Sequence, residues 1–356
     1  MIASGTMRED FHMVVETLPG ARQPYLIRNG QGPRTLIGGM VASAYATAAE
    51  TEGLFTLNML SGGVDAGLPL IRHDNSFTSL CVLEGHLELT LDDRTCELTR
   101  GDIASVPPGT PYGFRMARNR VVVMAFQTGG QAGRLFAELG APYDGFVQPA
   151  LDAGTWADLA GATPQECDTR ILARLPKDPA NMRPGKLLPD GVEPYVLESG
   201  CGDQLLVGDQ RFTFAGRNRQ TGDGFLTLLN DGPAGDMIPP HKHMQHDEMF
   251  FCMDGGFRML AGDEMIELAP GDWLFVPRGT PHAYQMLKPY NRSLGWLIPG
   301  VFEHFFETLG EPFDGTIYPQ QPGPMHFDRV FAKLDQFDFV PLGAPPGSGG
   351  PGGPQA

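Results

Sequence analysis

The sequence predicts an all-β protein made of two copies of one domain, each copy a β-sandwich or β-barrel with a few peripheral helices. Three observations support this fold class. The chain repeats itself internally, its apolar residues fall in short runs between turn residues, and it holds 47 Gly and 32 Pro among 356 residues. That many turn formers argue against a helical bundle or a coiled coil. With 41% hydrophobic and 19% charged residues, the chain can build packed cores.

The internal repeat has a constant offset of 170 residues. The segment GDIASVPPGTP at 101–111 matches GDWLFVPRGTP at 271–281, and LFAELGAPYDG at 135–145 matches FFETLGEPFDG at 305–315. Since the offset never changes, few insertions separate the copies. We therefore interpret the chain as one domain present twice.

The repeat predicts the domain boundaries. We expect an N-terminal domain over 1–150, an ordered connector over 151–190, a C-terminal domain over 191–342 and a disordered Gly/Pro tail over 343–356. Within the connector we expect two short helices, near 155–159 and 165–175.

Within each repeat, β-branched, aromatic or alternating runs predict strands. The strands expected on this basis are 80–83, 87–91, 121–126, 225–229, 249–253 and 273–276. Strands that recur at about 8–12 residues favour a sandwich or barrel. An amphipathic helix closes each repeat, at 133–139 and 301–309, and we expect it to pack outside the barrel.

Charge and composition exclude several classes of function. The formal net charge is −16, and an acidic surface repels phosphate backbones, so no nucleic-acid partner is expected. No apolar run approaches the ~18–20 residues that span a bilayer, and the N-terminus lacks the hydrophobic core of a signal peptide. We therefore expect no membrane partner and a cytoplasmic location. The five cysteines form no CxxC pair, which argues against a disulfide framework or a cysteine zinc site.

A cluster of histidines in the second repeat predicts a metal site. His241 and His243 are two residues apart, so on a strand they point to the same face. Glu248 and His282, on neighbouring strands, can complete a pocket of three neutral nitrogens and one carboxylate. Divalent transition metals favour this donor set, and coordination positions stay open for water, substrate or dioxygen. We expect one such metal per chain, and Fe, Mn, Ni, Co and Cu all fit.

Two residues beside the cluster have open roles. His246 lies between His243 and Glu248, and we expect it in a surface turn; a substitute ligand or a residue that supports the ligands is the alternative. Cys252 has no histidine signature that would activate its thiol, so inert packing is expected rather than nucleophilic catalysis.

The first repeat offers an internal comparison for the metal site. The positions that match the four expected ligands hold Ile71, His73, Thr78 and Tyr112. A single histidine cannot hold a transition metal in competition with water. We therefore expect the first repeat to lack a complete metal site and His73 to be a hydrogen-bonded core or pocket residue.

The motif from Gly235 to Gly255 and the motif from Gly271 to His282 resemble the paired motifs of the cupin superfamily, and the duplication resembles a bicupin. This resemblance implies two tandem jelly-roll β-barrels. The final Asn of the longer motif is absent, and Met286 stands in its place. Because one scaffold hosts dioxygenases, decarboxylases, isomerases and storage proteins, the superfamily does not imply a substrate.

Among bicupins the chain is similar to quercetin 2,3-dioxygenase-like proteins. The carriers of this similarity are PYVL at 194–197, PPHKH at 239–243, EMFF at 248–251 and LGEP at 309–312. The resemblance implies an enzyme that uses a divalent metal to bind a flavonol through its ring-carbon hydroxyl, adds dioxygen, opens the heterocycle and releases carbon monoxide. It also implies that His241, His243 and His282 are metal ligands and that Glu248 is both ligand and general base.

Strand alternation predicts further residues of the pocket. Phe250 and Cys252 share the face of Glu248, and Tyr284 and Met286 share the face of His282, so we expect these four to bind substrate. An aromatic and sulfur-lined cavity suits a small flat aromatic or polyketide-like substrate; plain barrel core is the alternative. No arginine is evident at these inward positions, which counts against an oxalate decarboxylase.

The leading hypothesis is a metal-dependent ring-cleaving dioxygenase that takes an aromatic substrate and O2 in its C-terminal cupin. Glu248 could take the proton of the substrate hydroxyl if its own pKa lies near the working pH, which burial would favour. One alternative is a cyclase, isomerase or decarboxylase of a polyketide or aromatic acid, and a second is a non-catalytic small-molecule-binding cupin. Three roles are open for the metal-free repeat: it could form a homodimer interface, stabilise the protein, or shape an entrance to the site.

Overall fold

The structure is a computed structural model that describes residues 13–145, 159, 162–177 and 180–343. Helices are short and few among these residues. They are α1 (Ala48–Thr51), α2 (Arg134–Leu139), α3 (Asn218–Thr221), α4 (Glu303–Leu309) and α5 (Phe327–Phe331), with a 3₁₀ turn at Leu334–Gln336. In the described part of the chain, no helix has the length and apolarity to cross a bilayer.

Strands carry the rest of the regular structure. The first repeat and the segment that follows it contain β1 (Val14–Val15), β2 (Tyr25–Ile27), β3 (Arg34–Ile37), β4 (Met40–Ala46), β5 (Phe55–Gly62), β6 (Gly67–Arg72), β7 (Thr78–Glu84), β8 (Leu87–Leu91), β9 (Arg94–Leu98), β10 (Ile103–Val106), β11 (Tyr112–Met116), β12 (Val121–Thr128), β13 (Ala141–Pro142), β14 (Arg170–Ala173) and β15 (Ala180–Asn181). The second repeat contains β16 (Tyr195–Leu197), β17 (Asp203–Val207), β18 (Gln210–Gly216), β19 (Leu226–Gly232), β20 (His241–Lys242), β21 (Asp247–Asp254), β22 (Phe257–Ala261), β23 (Glu264–Leu268), β24 (Trp273–Val276), β25 (His282–Met286), β26 (Asn291–Ile298), β27 (Glu311–Pro312) and β28 (Val340–Pro341).

These strands form two barrels, each made of one large and one small sheet. The first barrel combines the order β13-β3-β4-β5-β12-β7-β10-β16 with β14-β6-β11-β8-β9-β15. The second combines β1-β2-β24-β21-β26-β19-β18-β17-β27 with β23-β22-β25-β20-β28. Pairing is antiparallel, as in a jelly roll, except for the parallel edge pairs β1–β2 and β9–β15. The predicted all-β fold of two tandem jelly-roll barrels is confirmed.

Each repeat contributes a strand from near its start, β2 or β16, to the large sheet of the other barrel. β2 of the first repeat pairs with β24 of the second, with Tyr25 opposite Phe275. β16 of the second repeat pairs with β10 of the first, with Tyr195 opposite Ser105. Each large sheet is therefore completed by a strand from the other repeat.

The junction between the barrels repeats its contacts with the same 170-residue offset as the sequence. Phe126 and Trp296 occupy equivalent positions and stack on each other, with ring centroids 5.0 Å apart and an interplanar angle of 9°. The carboxylate of Asp102 accepts the backbone N–H of Ser199 at 2.8 Å. Its counterpart in the second repeat, Asp272, accepts the N–H of Asn29 at 2.9 Å. Both aromatic rings are fully buried, so the barrels share one core.

The segment between the repeats differs from the prediction. The helix expected near 165–175 is wrong, since β14 pairs there with the edge of β6 and packs Ile171 against the first core. The unpaired N–H and C=O groups at the edge of β6 offer hydrogen-bond partners to the backbone of this segment, whereas a short isolated helix is only marginally stable. β14 also occupies the place that β28 occupies beside β20 in the second barrel. The helix expected near 155–159 lies, apart from Leu159, outside the described residues, as does the predicted tail after Gly343.

The two closing helices lie close to where they were predicted, as α2 and α4. However, α4 does not simply pack outside its barrel. Its Phe305, Phe306 and Leu309 pack against Phe212 and other strand residues at the open end of the second barrel. The helix therefore covers the barrel mouth above the histidine cluster.

Candidate metal centre

Three strands of the second barrel bring the predicted ligands together. His241 on β20 lies directly opposite His282 on β25 in the antiparallel register, and their ring centroids are 4.4 Å apart. His243 follows β20 immediately, and Glu248 projects from β21 in the other sheet. The potential ligand atoms of the three histidines lie within 4.8 Å of one another, and all four side chains are buried. The sequence spacing thus does place all four residues in one cluster.

Backbone carbonyls fix the orientation of the three imidazole rings. His241 Nδ1 donates to Pro239 O at 2.9 Å, and His282 Nδ1 donates to Thr280 O at 3.0 Å. His243 Nδ1 donates to the backbone carbonyl of Asp338. A carbonyl can only accept, so each ring carries its proton on Nδ1 and presents the Nε2 lone pair to the cluster. Among the described residues, Nε2 of His243 and of His282 is buried without a hydrogen-bond partner. Such orphaned acceptors fit a bound cation.

Burial keeps His241 and His243 neutral, which a metal ligand requires. Burial, followed by the neighbouring His282 and His243, lowers the pKa of His241 well below its ordinary value. Burial likewise lowers the pKa of His243 to about 4. Both imidazoles are therefore uncharged at neutral pH and able to donate a lone pair.

Glu248 brings a negative charge to the cluster. Its Oε2 lies 3.0 Å from His282 Nε2, and its Oε1 lies 3.6 Å from His243 Nε2. Burial alone would raise the pKa of Glu248, but the surrounding imidazoles, His243 first, hold it well below its ordinary value. Burial does act in the direction expected, but the imidazoles outweigh desolvation, so the pKa of Glu248 does not come near the working pH. The donor set of three neutral nitrogens and one carboxylate fits a divalent transition metal.

His246 belongs to the cluster rather than to a surface turn. It is fully buried, its ring centroid lies 4.1 Å from that of His243, and its Nε2 lies 3.5 Å from Glu248 Oε1. Its Nδ1 donates to Asp338 Oδ2 at 2.7 Å. The surface-turn interpretation is wrong, and the geometry matches the alternative of a substitute ligand or a ligand-supporting residue, since His243, His246 and Glu248 also form a group that could hold a metal ion. Burial lowers the pKa of His246, but Asp338 and Glu248 outweigh burial and raise it above the ordinary value.

Asp338 is a site residue that the sequence analysis missed. Its carboxylate accepts the backbone N–H groups of Met244, Gln245 and His246 at 2.6, 2.7 and 3.1 Å, in addition to the His246 ring. Its own carbonyl accepts the Nδ1–H of His243. These contacts fold the turn inward, and the hydrogen bonds hold the pKa of Asp338 at about 2 although burial would raise it. The 170-residue offset could have identified Asp338 as a site residue, because Asp168 stands at the matching position of the first repeat.

The matching positions of the first barrel form a closed hydrogen-bond network. His73 Nε2 lies 2.8 Å from Tyr112 Oη and 3.2 Å from Gln127 Nε2, while Thr78 Oγ1 lies 3.3 Å from Tyr112 Oη. His73 Nδ1 donates to the Asp168 carbonyl at 2.6 Å, as His243 does to Asp338. His73 is thus a buried, hydrogen-bonded residue, as predicted, and its ring nitrogens are engaged by protein atoms.

A cavity of about 950 Å³, counting its opening to solvent, leads to the cluster. His241, Glu248 and His282 reach it at one end, and its aromatic walls include Phe212, Phe250, Phe302, Phe305, Phe306 and Phe339. No described lining residue is an arginine or a lysine.

Of the four predicted substrate-binding residues, Phe250 and Tyr284 line this cavity. Cys252 and Met286 point to the same face of their strands but lie deeper. They pack with Met259 in the core that closes the far end of the barrel. Alternation along a strand therefore identified the inward face but not the depth at which the cavity ends.

Comparisons with known proteins agree with this architecture. The family described as Cupin domain matches residues 59–126 and 229–289. The chain is 36% identical over 329 residues to quercetin 2,3-dioxygenase of Bacillus subtilis (strain 168), which covers 92% of this chain and 98% of that protein.

Two solved structures share the fold at low sequence identity. The oxalate decarboxylase of Lactobacillus farciminis, in a formate complex, gives a TM-score of 0.52 at 10% identity and covers 77% of this chain and 86% of that one. The salicylate 1,2-dioxygenase of Pseudaminobacter salicylatoxidans gives 0.51 at 12% identity, with 76% and 79% covered. At such identities the likeness shows the fold alone.

The relationship to the Bacillus enzyme extends over nearly the whole length of both chains, beyond the two matched domain segments. Together with the cluster of histidines and Glu248, this makes the chain a metal-dependent cupin enzyme. The chain belongs to the cupin superfamily, as a bicupin of the quercetin 2,3-dioxygenase-like family.

Proposed function

We propose that this protein is a metal-dependent dioxygenase that cleaves a flavonol-like or other oxygenated aromatic ring in its C-terminal barrel. The observation that carries the proposal is the aromatic, cation-free lining of the described cavity that opens onto the histidine cluster. Phenylalanine walls match a flat aromatic ring, whereas a small dicarboxylate would be buried there without a countercharge. The related enzyme from Bacillus subtilis is named for quercetin, a substrate of this chemical class.

We further propose His241, His243, Glu248 and His282 as the ligands of one divalent transition metal per chain. Fe, Mn, Ni, Co and Cu all accept this donor set, with affinity and availability deciding among them. The chemistry that such an ion supplies is a lowered pKa of the substrate hydroxyl and a more electron-rich ring for reaction with dioxygen.

The side chains themselves hold the substrate and move its proton. Glu248 is ionised, because its pKa lies well below the ordinary value, so its carboxylate is free to accept the proton of the substrate hydroxyl. A carboxylate of low pKa is a weak base and suits only an acidified hydroxyl. Phe250 and Phe302 flank the cluster, with Phe302 4.5 Å from the His243 ring, so they exclude water from this end of the cavity.

Simultaneous measurement of dioxygen and carbon monoxide tests the reaction. Metal-quantified protein is mixed with quercetin, and both gases are followed in one vessel. We expect one carbon monoxide released for each dioxygen consumed. No uptake by protein that carries one metal per chain would refute cleavage of flavonols, and turnover that persists without oxygen would favour a cyclase, isomerase or decarboxylase instead.

The repeat supplies a matched pair of variants for the ligand assignment. His243→Gln removes a proposed ligand, while His73→Gln makes the same change at the equivalent buried position of the first barrel. We expect His243→Gln to lose bound metal and turnover and His73→Gln to keep one metal per chain by elemental analysis. Equal metal loss in both variants would contradict the assignment of the site to the second barrel.

A further inference from the structure

Three polar side chains meet in the wall of the otherwise aromatic cavity. They are Gln210 on β18, Asn230 on β19 and Tyr284 on β25, and all three line the cavity. Tyr284 Oη donates to Gln210 Oε1 at 2.6 Å. Asn230 Nδ2 donates to Gln210 Oε1 at 2.9 Å and to Tyr284 Oη at 3.0 Å. We call these three residues the polar trio.

The polar trio leaves one strong acceptor unused. Asn230 is 7% exposed, and its Oδ1 is buried without a hydrogen-bond partner among the described residues. In the trio, Gln210 Oε1 accepts from Tyr284 Oη and from Asn230 Nδ2, so the amide nitrogen of Asn230 faces Gln210 and its oxygen does not. A buried amide oxygen without a donor is costly, and such groups normally find a partner. A bound ligand with an O–H or N–H group would provide that partner.

The position of the trio relates it to the metal centre. Tyr284 follows His282 by two residues on the same strand, so it lies about 7 Å further along the same face. It also lies on the side of the cavity that leads to the core around Met286. A flat molecule held at the histidine cluster by one hydroxyl group would extend past Phe250 toward the trio.

We propose that Asn230 Oδ1 accepts a hydrogen bond from a hydroxyl group on the distal part of the substrate, so that the polar trio selects hydroxylated aromatic rings. This inference rests on the proposed function, since it concerns the far end of the same cavity. The polar trio presents a hydrogen-bond acceptor to the substrate. A phenolic O–H satisfies it, whereas a methoxy group, which can only accept, does not.

The experiment measures binding apart from turnover. Equilibrium dissociation constants are determined without oxygen, by quenching of protein fluorescence, for metal-loaded protein with 3-hydroxyflavone, quercetin and a quercetin O-methylated on its distal hydroxyls. We expect the wild-type protein to prefer quercetin over its methylated partner by roughly tenfold, the value of one hydrogen bond in a buried site.

Variants assign the preference to one atom. Asn230→Leu keeps the volume of the side chain but removes the acceptor, and Asn230→Ala serves if the leucine variant does not fold. Both should reduce the preference to about one while 3-hydroxyflavone binds with little change. Ser293→Ala is the matched control, because Ser293 also lines the cavity and pairs with Asn230 across the sheet. It should keep the preference.

The outcomes separate this inference from the proposed function. If flavonols bind and are cleaved but the preference survives in the Asn230 variants, or vanishes in Ser293→Ala, the inference is wrong. Equal binding of hydroxylated and methylated probes to the wild-type protein overturns it as well. If no flavonol is cleaved, the proposed function fails, and the binding preference for quercetin over its methylated partner, measured apart from turnover, still decides whether Asn230 selects a hydroxyl group.

Discussion

Asp338 offers the sharpest test of how the metal centre is built, because Asp168 provides its counterpart in the first barrel. Asp338→Ala removes a carboxylate that accepts three backbone N–H groups and the ring N–H of His246. Asp168→Ala removes one that accepts the N–H groups of Asp74 and Asn75 and the hydroxyl of Ser76. The two substitutions thus remove comparable structural contacts at equivalent positions, but only one lies beside the histidine cluster.

The expected losses of stability follow from these contacts. A hydrogen bond to a charged group contributes about 1.5–3 kcal/mol, but contributions in one network do not add and water replaces part of them in an open turn. Asp338 is 6% exposed, so we expect Asp338→Ala to lose about 3 kcal/mol of unfolding free energy. Asp168 is more exposed, so we expect about 1–2 kcal/mol for Asp168→Ala.

The expected effect on metal affinity differs more strongly. Asp338 fixes the rings of His243 and His246 through its carbonyl and its carboxylate, and loss of such supporting contacts typically lowers metal affinity about 10–100-fold. Because the backbone carbonyl survives in Asp338→Ala, the loss comes from the released turn and the freed His246 ring. Asp168→Ala should leave the metal affinity unchanged.

Two assays separate stability from metal affinity. Urea unfolding of both variants after metal removal gives the stability of the fold alone. Competition with a chromogenic chelator at neutral pH gives the metal affinity of folded protein. If Asp338→Ala binds metal as tightly as the wild-type protein, or if Asp168→Ala weakens binding equally, the supporting role of Asp338 is refuted.

Three further predictions concern the metal, the acid range and the shared core. Removing the metal with a chelator should lower the thermal midpoint, since at a free concentration 100 times Kd a ligand of the folded state contributes about 2.7 kcal/mol, and an unchanged midpoint would contradict binding to the folded site. The pKa of Asp338 falls from 3.8 to about 2 on folding, so its carboxylate stabilises the metal-free fold fully above about pH 4 and stops doing so as the pH falls toward 2. The difference in unfolding free energy between wild-type protein and Asp338→Asn should therefore shrink from pH 5 to pH 2.5, and a constant difference would contradict the lowered pKa. Phe126→Ala should lose about 3–5 kcal/mol in urea unfolding because the ring is fully buried against Trp296, and a loss below about 1 kcal/mol would show that the barrels do not share a core there.

The sequence predicted those parts of the molecule that depend on local spacing. His241 and His243 share a strand face by alternation, and Glu248 and His282 reach them because both lie on strands that flank the same barrel mouth. The β-branched, aromatic and alternating runs within each repeat predicted that β-strands, not helices, carry the walls, and the constant offset predicted the duplication. Such features follow from periodicity and from a constant offset, and neither requires knowledge of tertiary contacts.

The sequence did not predict features that depend on distant contacts. His246 looks like a turn residue, and only Asp338, 92 positions later, draws it into the cluster. The low pKa of Glu248 likewise needs the distances to three imidazoles. The strand at Arg170–Ala173 forms because the edge of β6 is available, which no local pattern reveals.

The exchange of β2 and β16 between the barrels limits which parts of a duplicated domain can be deleted. The first barrel holds Ile71, Thr78 and Tyr112 where the second holds metal-binding residue types, so its pocket is free to drift away from catalysis. Yet β2, which it contributes, lies beside β24, and β24 in turn pairs with the strand that carries Glu248. A deletion of the first copy would therefore unravel an edge of the sheet that holds a proposed ligand. One copy of a duplicated domain can therefore lose its metal-binding residues and still be required for folding of the other copy. Once the strands are exchanged, neither copy can be removed without exposing a sheet edge in the other.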